Sequence, residues 1–233
     1  NKTADLISQK TAAEAERGNK KIETDAHSLA VGVAVEKAFK KYGIRKAISF
    51  HSSIKRAENF VAQQRDLGSP ISRGIEIEYQ TISSKQSAGQ RSKLLYDFAS
   101  QGPALLSNAR CLTEGVDIPS IDCVIFADPK QSVVDIVQAA GRAMRQAKEA
   151  GKELGYILLP ISVPNDTSME EFTETTEFNA VSRVITALST QDERIVDELN
   201  TAKSSGGGTR IIIDGENIDK TRIGLSEFSD HIK

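Results

Sequence analysis

The chain has 233 residues, of which 39% are hydrophobic and 27% charged, a balance typical of a globular protein with one main core and smaller appendages. Its formal net charge of −2 at pH 7 gives no bulk signature of nucleic-acid binding. No apolar run approaches the roughly 18 residues that span a bilayer, and residues 1–10 contain no signal-peptide hydrophobic region. These features indicate neither a membrane protein nor a secreted one.

The two cysteines, Cys111 and Cys123, have no second pair and no histidine at ligand spacing, so the sequence predicts no zinc site or other metal site. We expect both thiols to lie in the core of a protein of the reducing cytoplasm. The chain begins with Asn1 instead of methionine, and we therefore expect it to be a piece of a longer protein.

Hydrophobic periodicity predicts the first elements in chain order. Residues 1–24 are polar and lysine-rich and are predicted to be a lead-in segment. A helix with a glycine stop at Gly43 follows, then a strand in KAISF and a second helix from roughly Ile54 to Asp66. The segment IEIEYQTIS predicts a strand, and QSAGQRSKLLYDFASQG predicts a helix that ends at Gly102.

Later segments complete the predicted fold. Strands are expected in PALLSN, DCVIFAD and GYILLPI, with a helix beginning near Ser132. Strands alternating with helices at this spacing predict an α/β fold, a parallel sheet with helices on both faces, over residues 25–164. Residues 165–203 are predicted to form an acidic helical extension, and residues 204–233 a glycine linker with a small C-terminal segment.

Two segments that follow strands carry candidate chemistry, because open α/β sheets bind ligands at the carboxyl ends of their strands. In SNARCLTEGVDIPS, Gly115 lies between Glu114 and Asp117. This loop is either a plain turn between strands or a site for phosphate and sugar, in which Asp117 accepts a hydrogen bond from a ribose hydroxyl.

The second segment is the helical stretch DIVQAAGRAMR, in which one stripe carries Gln138, Arg142 and Arg145. Arginines at this spacing either pair with surface carboxylates or grip a phosphate with their planar forks of donors. Gly141 destabilises a helix interior by roughly 1 kcal/mol, which favours the close approach of another surface at this helix.

Four segments together resemble a known family. QAAGRAMR resembles motif VI, Q-x-x-G-R-x-x-R, of superfamily 2 helicases and translocases; TEGVDIP resembles motif V and KAISFHSS motif IV. The segment QTISSKQSAGQRSKLLYDFA carries Arg91 and Phe98 where that family has an arginine and a phenylalanine. The resemblance is to the second RecA-like domain, and most of all to the motors of type I and type III restriction enzymes and related defence or repair helicases.

The resemblance implies a role for each motif residue in ATP binding and hydrolysis. Arg145 would be the arginine finger, Arg142 a second phosphate contact and Gln138 a polar partner in the same cleft. Gly115 and Asp117 would lie near the phosphates and ribose of ATP, with Glu114 supporting their loop. The resemblance also implies contacts with nucleic-acid phosphates from motifs IV and V and a neighbouring loop: Ser52, Ser53, Ser84, Ser107, Asn108 and Arg110.

The resemblance favours double-stranded DNA as the partner, because the arginine that usually precedes the motif V glycine of DEAD-box RNA helicases is replaced here by Glu114. No G-x-x-x-x-G-K-[ST] sequence occurs, so we expect the parts that cradle ATP and Mg²⁺ to belong to an N-terminal RecA-like domain of the parent chain. The chain alone is expected not to hydrolyse ATP. Two alternatives stay open: the motor of a protein-translocating ATPase, and a non-enzymatic α/β binding module.

Overall fold

The computed structural model describes residues 26–67, 75–109, 121–128, 155–160, 171, 174–190 and 197. Within these residues lie helices α1 (Ala26–Tyr42), α2 (Ile54–Leu67), α3 (Ala88–Ser100) and α4 (Thr176–Ser189), and strands β1 (Lys46–Phe50), β2 (Glu78–Ile82), β3 (Ala104–Asn108), β4 (Cys123–Phe126) and β5 (Tyr156–Leu158). They fall into two compact units, one containing the five strands with α1–α3 and the other containing α4.

The five strands form one sheet in the order β2-β3-β1-β4-β5, and every neighbouring pair is parallel. In the middle of the sheet, Ile48 of β1 aligns with Leu106 of β3 and with Val124 of β4. Because all strands run the same way, the loops that follow them leave from one edge. The predicted α/β fold with a RecA-like parallel sheet is confirmed.

Helices cover both faces of this sheet, as predicted. Ala47 and Leu105 belong to a core cluster that also contains Val35 of α1 and Phe60 of α2. The side chain of the preceding residue, Lys46, points to the opposite face, because successive side chains of a strand alternate. There its ammonium donates to the main-chain oxygen of Phe98 in α3. The two helix layers bury β1 and β3 completely, since all ten of their residues are buried.

Helix α1 ends where predicted, because Gly43 adopts φ +64°, a left-handed conformation that stops a helix. A second glycine, Gly32, lets α2 approach α1 closely. A Cβ atom at Gly32 would lie 2.6 Å from the side-chain Cδ of Gln64. The helix pair therefore depends on the missing side chain at Gly32.

One predicted boundary is wrong. The strand expected from residue 75 begins only at Glu78, whose N–H donates to the carbonyl of Pro103 at 2.9 Å. Pairing does not extend towards residue 75, because the partner strand begins just after a proline, which has no N–H to donate. Helix α3 ends at Ser100 with Gln101 as its C-cap in extended conformation, so Gly102, the predicted stop, is the first residue after the cap.

Side chains at the amino-terminal edge of the sheet fix β1 to its neighbours. The carboxylate of Asp122, just before β4, accepts hydrogen bonds from the main-chain N–H groups of Arg45 and Lys46 at 2.7 and 2.9 Å. The Lys46 ammonium also donates to the carbonyls of Gln101 and Gly102, at 2.6 and 3.0 Å. A cation at these last carbonyls of α3 is stabilised by the negative end of the helix dipole.

Helix α4, in the second unit, begins at a clear cap. The Thr175 hydroxyl oxygen accepts a hydrogen bond from the N–H of Phe178 at 3.1 Å, which satisfies one of the free donors of the first turn. One apolar face of this helix is buried: Phe178, Val181, Val184, Ile185 and Leu188. None of the helices described is both long and apolar enough to cross a membrane.

Candidate functional site

Three of the motif-bearing segments follow strands that lie side by side in the sheet. In the strand order, β1 lies between β3 and β4, so three loops leave from three adjacent strands. The loop after β1 contains the motif IV residues, residue 109 begins the loop with motif V, and residue 128 precedes the segment with motif VI. Neighbouring strands are roughly 4.8 Å apart, so these three exits lie within about 10 Å of one another.

The loop after β1 leads directly into α2. Ser53 caps this helix: its carbonyl accepts the N–H of Ala57 at 3.1 Å, and its hydroxyl oxygen accepts the N–H of Arg56 at 3.2 Å. Ser53 is exposed, and its O–H hydrogen points away from a cap in which the oxygen is the acceptor. This predicted contact residue is therefore at the surface with a donor to offer a phosphate.

Ser52, the second predicted contact in this loop, is held by an aspartate of the neighbouring strand. Both its main-chain N–H and its hydroxyl donate to Oδ2 of Asp128, at 3.0 and 2.5 Å. The other oxygen of Asp128, Oδ1, lies 2.6 Å from Nη1 of Arg56 in the first turn of α2. One carboxylate thus joins the end of β4 to the loop after β1 and to the helix that follows.

The loop after β2, residues 83–87, is also built by side-chain hydrogen bonds. The Gln86 amide donates to the carbonyl of Thr81 at 2.9 Å, and its oxygen accepts the N–H of Ser83 at 2.8 Å. Ser87 and Gln90 form a capping box at the start of α3. Ser84, a predicted phosphate contact, is exposed in this ordered loop.

A salt bridge links this loop to α2. The Lys85 ammonium donates to both carboxylate oxygens of Glu58, at 2.8 and 3.1 Å, and both side chains are substantially exposed. The bridge joins the loop after β2 to the helix that follows the loop after β1, and both of these loops carry predicted contacts. An exposed pair of this kind stabilises a fold by at most about 1 kcal/mol.

Ser107 and Asn108, the predicted contacts at the end of β3, are completely buried. The Ser107 hydroxyl donates to the carbonyl of Ala57 in α2 at 3.2 Å, and the carbonyl of Asn108 accepts the N–H of His51 at 2.9 Å. These bonds tie β3 to α2 and to the loop after β1. The phosphate contact predicted for both side chains stays a prediction that this conformation does not display.

Seven other predicted site residues lie outside the described residues, and their roles stay predictions: Arg110, Glu114, Gly115, Asp117, Gln138, Arg142 and Arg145.

Two residues at this edge were not predicted from the sequence, Asp128 and Arg56. Both are polar residues that directly follow a strand or begin a helix at the carboxyl edge, which is the pattern that marked the other candidates. The sequence pattern did not identify these two residues, because neither segment alone shows that β1 and β4 are neighbours in the sheet.

The described residues contain no group of three or more His, Cys, Asp or Glu side chains that could hold a metal ion. Two titrating groups with a perturbed pKa, Cys123 and Tyr79, lie in the core. Burial raises the pKa of the Cys123 thiol to about 12, although a hydrogen bond with the main chain at Leu158 opposes the shift. Burial also raises the pKa of Tyr79, and the nearby Glu36 carboxylate adds to this. Cys123 is therefore a core thiol, as predicted, and not a reactive thiolate.

Comparison with known proteins agrees with the motif order. Residues 32–147 match the family described as "Helicase conserved C-terminal domain". Over 183 residues the chain is 27% identical to "Probable helicase A859L" of African swine fever virus, covering 76% of this chain and 19% of the relative. It is 25% identical over 118 residues to "ATP-dependent RNA helicase HAS1" of Scheffersomyces stipitis, covering 51% of this chain and 19% of that protein.

A solved structure is similar over most of the chain. The "ATP-dependent Type ISP restriction-modification enzyme LlaBIII bound to DNA" superposes with a TM-score of 0.69 at 29% identity, covering 87% of this chain and 14% of that one. The chain thus spans less than a fifth of the length of each of these three relatives.

Fold, motif order and family match define one class: the chain contains a helicase conserved C-terminal domain, which is the second RecA-like domain in superfamily 2. Its relatives include a restriction-modification enzyme and a viral helicase.

Proposed function

We propose that this chain is the second motor domain of an ATP-dependent DNA helicase or translocase, possessing an arginine finger and contacts for nucleic-acid phosphates. One observation carries the proposal: the segments with motifs IV, V and VI leave the sheet side by side, from the adjacent strands β1, β3 and β4. Residues 25–164 would form the motor domain, residues 165–203 a helical extension, and residues 204–233 a linker with a small terminal segment.

In this proposal ATP lies between two motor domains, and the upstream domain holds the Mg²⁺ that neutralises its phosphates. Arg145 reaches the γ-phosphate and Arg142 makes a second phosphate contact, since guanidinium forks match phosphate oxygens in shape and charge. Gln138 lies in the same cleft, while Gly115 and Asp117 face the phosphates and ribose, with Glu114 supporting them. The guanidinium, amide and carboxylate groups of these residues fit the phosphates and the ribose of a nucleoside triphosphate.

The nucleic acid crosses the same edge of the sheet. Ser53 and Ser84 support this because both are exposed there, and small hydroxyl groups bind phosphate without reading bases. Ser52, Ser107, Asn108 and Arg110 complete the proposed set. DNA is favoured over RNA because the LlaBIII structure, with a TM-score of 0.69, is of an enzyme bound to DNA. That likeness also supports a place in a restriction or defence enzyme.

The test uses the full-length protein, in which the proposed first motor domain precedes this chain. Arg145→Ala should lower DNA-stimulated ATP turnover by roughly a thousandfold, which is the lower range measured for arginine fingers. Arg183→Ala is the matched control, because Arg183 is an exposed arginine of α4 with no proposed role. It should turn over ATP like the unmodified protein.

Turnover by Arg145→Ala within about twofold of the unmodified protein would refute the finger assignment, since a finger contributes far more. The choice of stimulant tests the partner. ATP turnover that rises with unfolded polypeptide and ignores DNA would replace the helicase proposal by a protein-translocating motor.

A further inference from the structure

Among the described residues of the carboxyl edge, Asp128 joins three donors from two other elements. It accepts hydrogen bonds from the N–H and hydroxyl of Ser52 and from Nη1 of Arg56, at 3.0, 2.5 and 2.6 Å. The Asp128 side chain is 6% exposed, whereas the Arg56 side chain is 54% exposed. A nearly buried anion therefore anchors a guanidinium group whose outer side faces solvent.

The helix that carries Arg56 explains why such an anchor is needed. The first turn of α2 contains Lys55 and Arg56 and no acidic residue. Cations at this end are destabilised by the positive pole of the helix dipole. Asp128, which follows β4, contributes the negative charge that the first turn of α2 itself lacks.

The same geometry leaves Arg56 able to bind an anion. A guanidinium group has five N–H donors, and its planar fork suits phosphate oxygens. Asp128 engages it at Nη1, while 54% of the Arg56 side chain is exposed, and the main-chain N–H of the same residue donates to the Ser53 hydroxyl oxygen at 3.2 Å. The Asp128 carboxylate thus orients the Arg56 guanidinium group before that group binds a phosphate.

Ser52 shows the second effect of Asp128. Because both Ser52 donors point to Asp128, they are not directed at a phosphate in this conformation. They fix the path of the loop after β1, so that the cap residue Ser53 and the first turn of α2 have one position relative to β4. The aspartate determines which donors of this loop face solvent.

We propose that Asp128 is a positioning residue which holds Arg56, and the loop before it, so that Arg56 binds a phosphate of the nucleic-acid backbone. This inference rests on the proposed nucleic-acid partner. It assigns the direct contact to Arg56 and a supporting role to Asp128, which touches no phosphate itself.

The direction in which Asp128→Asn changes nucleic-acid affinity distinguishes a positioning role from a simple charge effect. An aspartate close to a phosphate repels it, so charge alone predicts that Asp128→Asn strengthens nucleic-acid binding. Positioning predicts the opposite, because a neutral amide no longer anchors Arg56 by a charge-assisted bond. The two explanations therefore give opposite changes in the dissociation constant.

The experiment measures binding of the 233-residue chain to a short fluorescein-labelled DNA duplex by anisotropy over a series of salt concentrations. Asp128→Asn should weaken binding about fivefold, which corresponds to about 1 kcal/mol, the typical net contribution of one hydrogen bond. Arg56→Gln should weaken binding similarly and reduce the slope of log K against log salt by about one, as loss of one phosphate contact does.

A double variant tests whether Asp128 acts through Arg56. If it does, Asp128→Asn should add little to Arg56→Gln, because residues that act as one unit are not additive. A merely structural aspartate would weaken binding equally in both backgrounds. Arg56→Lys, which keeps the charge and loses the fork, should fall between Arg56→Gln and the unmodified chain.

The chain offers a matched control at the other end of α2. Glu78 lies 3.8 Å from Arg65 in the last turn of this helix, and both side chains are exposed. Glu78→Gln also neutralises a carboxylate paired with an arginine of α2, but at the amino-terminal edge of the sheet. It should bind DNA like the unmodified chain.

Three results would overturn the inference. Asp128→Asn that binds as tightly as the unmodified chain, or more tightly, refutes positioning; an undiminished effect in the Arg56→Gln background refutes action through Arg56. Should Asp128→Asn fail to fold by circular dichroism, Arg56→Gln alone decides, since an unchanged affinity and salt slope refute the contact. Failure of the unmodified chain to bind any DNA or RNA probe refutes the proposed nucleic-acid partner instead.

Discussion

Two aspartates flank β4, and the same residue type does different work at its two ends. Asp122, before the strand, accepts two main-chain N–H groups from the start of β1, at 2.7 and 2.9 Å. Asp128, after the strand, accepts from Ser52 and from the partly exposed Arg56. Both aspartates are nearly buried, at 7% and 5% exposure.

The partners explain the difference. Main-chain amides at the amino-terminal edge cannot move without unpairing β1 from the sheet, so Asp122 contributes to the fold. Exposed side chains at the carboxyl edge can meet a ligand, so Asp128 contributes to a surface, and this is the edge at which open α/β sheets bind ligands. Mutations at the first end should therefore change stability, and mutations at the second should change binding.

The largest stability change is expected for Asp122→Ala. It leaves two main-chain N–H groups at the start of β1 without their acceptor and should lower the free energy of unfolding by about 3 kcal/mol. Urea denaturation followed by circular dichroism measures this, and DNA binding by the folded protein should stay unchanged. A loss below about 1 kcal/mol would contradict the structural role given to Asp122.

Lys46→Met should have the next largest effect. The variant keeps the length of the side chain but removes the ammonium that bonds to the carbonyls of Gln101 and Gly102. These carbonyls directly follow α3 and would lose their donor, so the expected loss is about 2 kcal/mol in the same denaturation experiment. Arg45→Met, a neighbouring exposed cation, is the control and should change stability by less than about 0.5 kcal/mol.

The smallest effect concerns alkaline pH and Cys123, the first residue of β4. Its pKa is about 12 in the folded chain against a reference of 9.0, so the unfolded chain loses this proton first. The stabilisation is complete below about pH 9 and declines by about 1.4 kcal/mol per pH unit as the pH rises towards 12. Cys123→Ala should show a shallower decline in urea denaturation between about pH 8 and pH 10. Equal slopes for the two proteins would show that burial does not hold this thiol protonated.

Sequence patterns were sufficient for local structure and for the family. The positions of α1, α2 and all five strands follow from apolar periodicity and from stops such as Gly43. The end of α3 follows in the same way from Gly102, which comes directly after the C-cap. The bonds from Lys46 to the carbonyls of Phe98 and Gln101 could not be predicted, because Lys46 lies more than 50 residues earlier in the chain.

Site residues could be predicted from the sequence only where a single segment contains the complete motif. Motifs V and VI are recognisable from residue types at fixed spacing, whereas the pairing of Asp128 with Ser52 and Arg56 depends on β1 lying next to β4. Strand order in a parallel sheet is set by contacts distant in sequence, and no spacing within either segment encodes it. The same reason applies to Ser107, whose complete burial follows from α2 packing over β3.

The central position of β1 also has a consequence for folding. Ile48 pairs with Leu106 on one side and Val124 on the other, so both neighbours of the first strand are synthesised after it. Contacts over such separations form slowly, because the entropy of closing a long loop is lost before pairing stabilises the chain. While the protein is being made, β1 has two open edges until β3 emerges and one until β4 emerges. The bonds that Asp122 makes to the start of β1 are thus among the last that the growing sheet acquires.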